Sequence, residues 1–297
     1  MSSEFQLIKL YCVICHQYNT RLVNDAQRTS NNFLPQFTDE ECITVVLWGL
    51  ANRKYNCKDV HKFIETYYAE WFPTLPKYKA FNKRFCYLAD AIKTLANELL
   101  SSLTSVVPGC ITHLIDSMPI VVAKQSRSNQ AKVASDICDK GYCDSKKMWF
   151  YGVKLHVLGQ SQYKTLPLPK LMQLAPASHH DRKISEEMLS DVFDMELFAD
   201  KAYINSAWQA DIFVNQKISI LTPIKLAKGQ KRLDSADGLF STAVSRIRQP
   251  IESFFNWLHE LTHIQSASKV RSSNGLISFV FSRLSLACLV ILGIISL

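Results

Sequence analysis

The 297-residue sequence predicts a mixed α/β sheet flanked by helices, preceded by an all-α N-terminal domain. Three observations carry this. Up to residue 108, apolar residues recur at helical spacing. Beyond Pro108-Gly109, short apolar runs alternate with helical segments, the pattern of an α/β sheet. Gly (9) and Pro (10) are sparse, which disfavours a turn-rich all-β chain. With 47% hydrophobic and 20% charged residues the chain is neither disordered nor collagen-like. The expected domains are residues 1–108, helical, and 109–297, a sheet domain that includes the C-terminal helix.

In the first of these, Thr38-Asp39-Glu40-Glu41 has the form of a capping box. It opens a helix with Ile43, Val46, Leu47 and Leu50 on one face. A second helix is expected over 58–68, with Val60, Phe63, Ile64 and Tyr67 as its stripe. Pro73 and Pro76 then interrupt the chain. A third and longer helix, over 78–100, carries Phe81, Phe85, Leu88, Ile92, Leu95 and Leu99. Its basic start (Lys77, Lys79, Lys83, Arg84) suits a helix-turn-helix module or a plain bundle with solvated charges, and the pattern leans to the bundle.

In the second domain, strands are expected over 110–115, 149–158, 170–174, 197–199 and 218–221. Helices are expected over 185–192, with Ser185 as N-cap, and over 207–214 and 242–261. The uncharged run 284–297 falls short of the ~20 apolar residues of a spanning helix, and Arg283 stands before it, so a buried terminal helix is expected.

Lys and Arg number 34 against 26 Asp and Glu, a net charge of +8. The excess is uneven: from residue 201 onward 11 basic side chains stand beside 5 acidic ones. That suits a polyanionic partner, although ordinary enzymes share such a balance. The 9 cysteines are scattered, and no basic-then-apolar leader follows Met1, so free thiols in a reducing cytosol are expected. Cys12-x-x-Cys15-His16 matches a haem-attachment pattern without other haem features, and zinc is not expected from these cysteines.

Three acids draw attention. Asp116, in HLIDSMPI, and Asp200, in LFADKAY, are each expected at the carboxyl end of a strand, where α/β sheets open their ligand crevices. Either alone could merely cap a turn. Glu252, in SRIRQPIESFFNWL, neighbours the apolar stripe of Phe254, Phe255 and Leu258. Arg248 lies four residues earlier, on the same helix face. The pair reads as a simple ion pair or as an acid with an arginine that grips phosphate. Three carboxylates in one crevice repel each other unless they share hard cations such as Mg²⁺. Two such ions ~4 Å apart stabilise the attacking and leaving oxygens of phosphoryl transfer, with no covalent nucleophile needed.

With these blocks the chain resembles the DDE transposases of bacterial insertion sequences, most of all the insertion-sequence 982 group. The matching blocks are HLIDSMPI, GYCDSKKMWFYGVKLHVLG, LAPASHHDRKISEEML, FADKAY and RQPIESFFNWL, with FPTLPKYKAFNKRF nearer the N-terminus. The resemblance implies a ribonuclease H-like mixed sheet. It makes Asp116, Asp200 and Glu252 the catalytic, metal-binding triad, served by two Mg²⁺ ions with Mn²⁺ as a substitute. Arg248 keeps the family's Arg-x-x-x-Glu spacing and would hold the scissile or a neighbouring phosphate. Ser245 and His259 stand where the related signature has Tyr and Lys.

The same resemblance implies a transposase that binds the terminal inverted repeats of its element, cleaves them and transfers the strands. Residues 1–108 would recognise the ends. Double-stranded DNA and a homodimer or larger synaptic assembly are the expected partners, without a membrane, in the nucleoid-associated bacterial cytoplasm. Candidate DNA contacts are Arg248, Lys146, Lys147, Lys154, Lys201, Tyr203 and His259. The stretch 119–147 reads as a DNA-facing loop. His179-His180-Asp181 reads as a turn before a helix, outside the site. Two alternatives stay open: a ribonuclease H-like nuclease or resolvase without strand transfer, and a catalytically silent DNA-binding derivative.

Overall fold

The computed structural model describes residues 3–26, 35–106, 110–144 and 146–296. The expected boundary at Pro108-Gly109 lies outside them. In chain order the helices before the sheet are α1 (Ser3–Gln17), α2 (Asp39–Ala51), α3 (Cys57–Tyr67), α4 (Tyr78–Tyr87) and α5 (Ala89–Val106). Then come β1 (Thr112–Lys124), α6 (Gln125–Ser128), β2 (Asp139–Cys143), β3 (Met148–Gln160), β4 (Leu168–Pro176), α7 (Asp181–Met188) and β5 (Met195–Phe198). The chain continues through α8 (Ser206–Gln216), β6 (Ile218–Leu221), α9 (Ser235–Thr262) and α10 (Ser273–Ile291).

Two compact units divide the chain. The helical unit gathers Met1–Leu103, Lys132–Asp136 and Leu258–Leu297, and the sheet unit gathers Thr104–Ala131 and Ile137–Trp257. This departs from the expected split: the C-terminal forty residues pack with the helical unit. The physical reason is α10, whose Leu276, Val280, Leu284 and Leu286 are buried and which packs on α2 and α4. α10 is long and apolar enough to cross a membrane, yet two thirds of its apolar stretch is buried within the protein. It begins eleven residues before the expected run and takes Arg283 into its middle.

In the helical unit the capping box forms as its sequence requires. The Thr38 hydroxyl accepts from the Glu41 amide at 3.2 Å, and the Glu41 carboxylate accepts from the Thr38 amide at 2.6 Å. Such a cap contributes ~1 kcal/mol. The helix it opens, α2, is buried nearly all round. The expected helix over 78–100 is instead two, α4 and α5, parted at the fully buried Leu88. Arg84, in the basic start of that segment, is spent inside the unit. Its guanidinium holds both oxygens of Asp39, at 2.6 and 2.5 Å, and Tyr18 donates to the same carboxylate at 3.0 Å.

The sheet runs in the order β2-β3-β1-β5-β6, with β4 also paired to β3. β3 is its spine. One edge pairs antiparallel with β1, and the other pairs with β2 along Met148–Gly152 and with β4 along Val153–Gln160. β5 runs parallel to both β1 and β6. β1 extends to Lys124, well past the expected end at 115. β5 covers only Thr112–Leu114, so the rest of β1 has an open edge on which Pro119 is tolerated. β2 lies within the stretch expected to be a loop. A register shift between Val121 and Ala123 falls opposite Gly152, where a Cβ would stand 2.1 Å from the Ile120 carbonyl oxygen. Only glycine permits that approach.

The core of this unit joins Ile115, Leu158, Leu197 and Ile218 of the sheet to Ile184 and Leu189 around α7 and Ile212 of α8. α7 begins at Asp181, four residues before the expected start. Ser185 is therefore inside the helix and not its cap, bonding back to the Asp181 carbonyl at 2.9 Å. α9 begins at Ser235 and contains Pro250. A proline has no amide to give, so the Arg246 carbonyl lacks its helical partner.

Candidate active site

The parallel pairing of β1 with β5 ends at Leu114 opposite Phe198. Asp116 and Asp200 each lie two residues further on. Both acids therefore leave the parallel pair at the same register step, where its two strands part. Asp200 follows the end of β5 as expected, whereas Asp116 lies inside β1, which continues along β3 to Lys124. Asp200 is fixed by the turn it begins, its carboxylate accepting from the Ala202 amide at 2.6 Å. Asp116 accepts from the Ser117 amide at 2.8 Å. Burial pushes the Asp116 carboxyl up to about 7, against the pull of Arg248 and the Ser117 amide, and the charges of Asp200 and Asp181 add to the rise.

The third acid comes from α9. Ile251, Phe254, Phe255 and Leu258 are buried, which turns Glu252 outward with its side chain 53% exposed. The Ile251 side chain reaches the backbone at Gly159 of β3, where a Cβ would stand 3.3 Å from it. Arg248, one turn earlier, bridges two of the acids: it donates to Asp116 at 2.5 Å and to Glu252 at 2.5 Å. Beside them opens a cleft of about 850 Å³ lined by Asp200, Lys201, Arg246, Arg248 and Glu252 among others. Its cations are drawn from the acid-poor last third of the chain.

A fourth acid adjoins the first. The Asp181 carboxylate accepts from the Ser117 hydroxyl at 3.2 Å and from the Lys154 ammonium at 2.8 Å. His156 is fully buried, with Nε2 4.0 Å from the same carboxylate and no hydrogen bond at either ring nitrogen. Burial drives this imidazole down to about 4, so it is neutral at ordinary pH. Asp181, Ser117 and His156 are not among the site residues that the sequence motifs mark. A signal was present: Lys154 and His156 are polar residues two apart in an apolar strand, hence on one face, and His156 pairs in register with Ser117.

The expected DNA contacts fare unequally. Lys201 is exposed at the cleft beside Arg248. Lys146 and Lys147 are exposed at the tip between β2 and β3. Lys154 is mostly buried and engaged with Asp181 and the His179 carbonyl. Tyr203 is fully buried in the core, so it has no face to offer a base; this corrects the expectation, because the turn after Asp200 points the ring inward. His259 belongs to the helical unit, its ring 5.3 Å from that of His263.

Three carboxylates supply the hard oxygen donors that a divalent cation takes. With Arg248 across Asp116 and Glu252, no group of three acidic, His or Cys side chains among the described residues stands arranged around a metal position. The donor chemistry of these carboxylates fits a metal ion.

A mixed sheet flanked by helices, with two acids where the parallel strands part and a further acid on a following helix, defines the class of nucleases and transposases built on the ribonuclease H-like fold. Within that class, the chain belongs to the Transposase DDE domain family, whose model matches residues 109–273. No curated protein matches the chain.

Proposed function

We propose that this protein is the transposase of a bacterial insertion sequence of the 982 group. It binds the terminal inverted repeats of its element, cleaves the DNA there and transfers the freed strands to a target. The observation that supports this best is the common register step of Asp116 and Asp200, with Glu252 and Arg248 at the same basic cleft.

In this reading Asp116, Asp200 and Glu252 hold Mg²⁺, or Mn²⁺ in its place. A pair of such ions stabilises the attacking and leaving oxygens of an in-line displacement. Arg248 gives up Asp116 and Glu252 and turns to a DNA phosphate, which offers the same two-oxygen edge to the guanidinium fork. Lys201 and Arg246 hold the flanking backbone. Ser117 and Lys154 keep Asp181 neutralised beside Asp116, so that four acids tolerate one neighbourhood. The helical unit recognises element ends, and a homodimer brings two ends together in the bacterial nucleoid.

The test uses the purified full chain with DNA carrying the inverted repeats that flank its gene and with Mg²⁺. Nicks at the repeat ends and joined strand-transfer products are expected. Nicks without joining would assign a nuclease or resolvase instead. Binding without nicks would assign a silent DNA-binding derivative.

A further inference from the structure

Far along the chain from the acids, α10 carries a cation without a counter-charge. Arg283 is 3% exposed. Its three nitrogens donate to the carbonyls of Thr262 at 3.0 Å, Phe279 at 2.9 Å and Tyr55 at 2.5 Å. It also lies over the Phe279 ring, 3.4 Å from the centroid. Every one of these partners is neutral, and among the described residues no carboxylate pairs with it. Burial lowers its pKa to about 9, so it remains charged at neutral pH. The nearby Cys57 thiol is pushed up to about 12 by burial and cannot act as the anion. A buried charge without an opposite charge is costly, several kcal/mol in real proteins.

Arg283 forms part of the wall of a cavity of about 400 Å³ inside the helical unit. That volume is in the range of small-ligand sites. The wall contains Lys58, Lys269 and Arg271 besides Arg283, and no Asp or Glu. Lys58, Lys269 and Arg271 are exposed and Arg283 is buried, so the wall carries one buried and three exposed cations. Tyr55, Tyr78 and Phe279 give it aromatic sides. A compact anion would answer the charge, and the aromatic side chains of the wall offer apolar surface to a base.

We propose that this cavity binds a nucleotide, with the phosphate toward the cations and the base among the aromatic rings. The nucleotide is either free or the phosphorylated end of a DNA strand, since both present the same chemistry. The site is separate from the carboxylates of the sheet unit and stands whether or not those acids cleave DNA.

Isothermal titration of the full chain with dAMP, with inorganic phosphate, and with a single-stranded tetranucleotide with and without a 5′-phosphate tests it. At least one nucleotide probe is expected to bind. If dAMP binds, the free nucleotide is the source; if only the phosphorylated strand binds, the DNA end is. The double variant Lys58→Glu, Lys269→Glu changes only exposed side chains, and it is expected to weaken binding at least tenfold while Asp200→Asn leaves it unchanged. Arg283→Met is expected to abolish binding, but it also frees three carbonyls, so the exposed variant decides. No binding by any nucleotide probe, unchanged affinity in the Lys58, Lys269 variant, loss in Asp200→Asn, or equal affinity for inorganic phosphate would each overturn the proposal.

Discussion

Arg248 satisfies Asp116 and Glu252 with one guanidinium, at 2.5 Å to each. The same contacts that stabilise the acids also close them. If the carboxylates serve a metal, removing the clamp should release them. In Arg248→Gln, Mg²⁺ binding to DNA-free protein is therefore expected to tighten by roughly 5- to 150-fold, the usual span of coupling between sites. Titration calorimetry without DNA measures it, and equal affinities in the two proteins would remove the clamp from the account. His156 makes a separate prediction at this scale. Its folded pKa is lowered to about 4 by burial, so the unfolded chain binds the proton more tightly. Its contribution to stability is whole above about pH 6.5 and is lost as pH falls toward 4. His156→Phe should lose less stability than the wild type across that window, as followed by urea denaturation at stepped pH. Parallel pH dependence in both proteins would contradict the assignment.

Among the elements, the sheet rests on how closely strands approach. Gly152 faces the bulge in β1, and a methyl group there would overlap the Ile120 carbonyl. Gly152→Ala should cost about 1–3 kcal/mol, the usual penalty of overpacking. Gly238, inside α9, has nothing within 4 Å of an added Cβ. Gly238→Ala should stabilise by about 0.5–1 kcal/mol. Thermal melts of the two variants should therefore move in opposite directions. Much of this level is legible in the sequence. The capping box, the β6 strand and the placement of Asp116 and Asp200 after apolar runs all rest on local signals, and the structure shows each. What is not local is not legible. The break at Leu88 has no glycine or proline to mark it, and the apolar period continues across it. The length of β1 depends on its pairing with β3, which no window of sequence contains. Asp181 joins the acids only because a helix start, a strand face and Ser117 meet in three dimensions.

For the whole molecule, the net charge of +8 acquires a place. The acid-poor last third supplies Lys201, Arg246 and Arg248 to the cleft beside Glu252, and the basic surplus there stands around a carboxylate site. DNA binding is accordingly expected to weaken steeply with salt, log K falling by about 0.9 per phosphate neutralised. A fluorescence titration over a salt series would detect it, and flat binding would make the basic excess irrelevant to DNA. That Glu252 and Arg248 sit on one helix face was readable from their spacing, whereas the packing of the last forty residues with the helical unit was not. α10 reads as a terminal helix in any fold, and only its buried partners reveal which core it completes.

The proposed function requires Asp116, Asp200 and Glu252 to act together on DNA phosphates. Its most direct test is cleavage of DNA carrying the inverted repeats, in Mg²⁺, by the wild type and by Asp116→Asn and Asp200→Asn. Metal-borne charge stabilisation amounts to several kcal/mol, so each variant should cut roughly a hundredfold more slowly or worse while binding the same DNA. Wild-type rates of cleavage in either variant would contradict the claim.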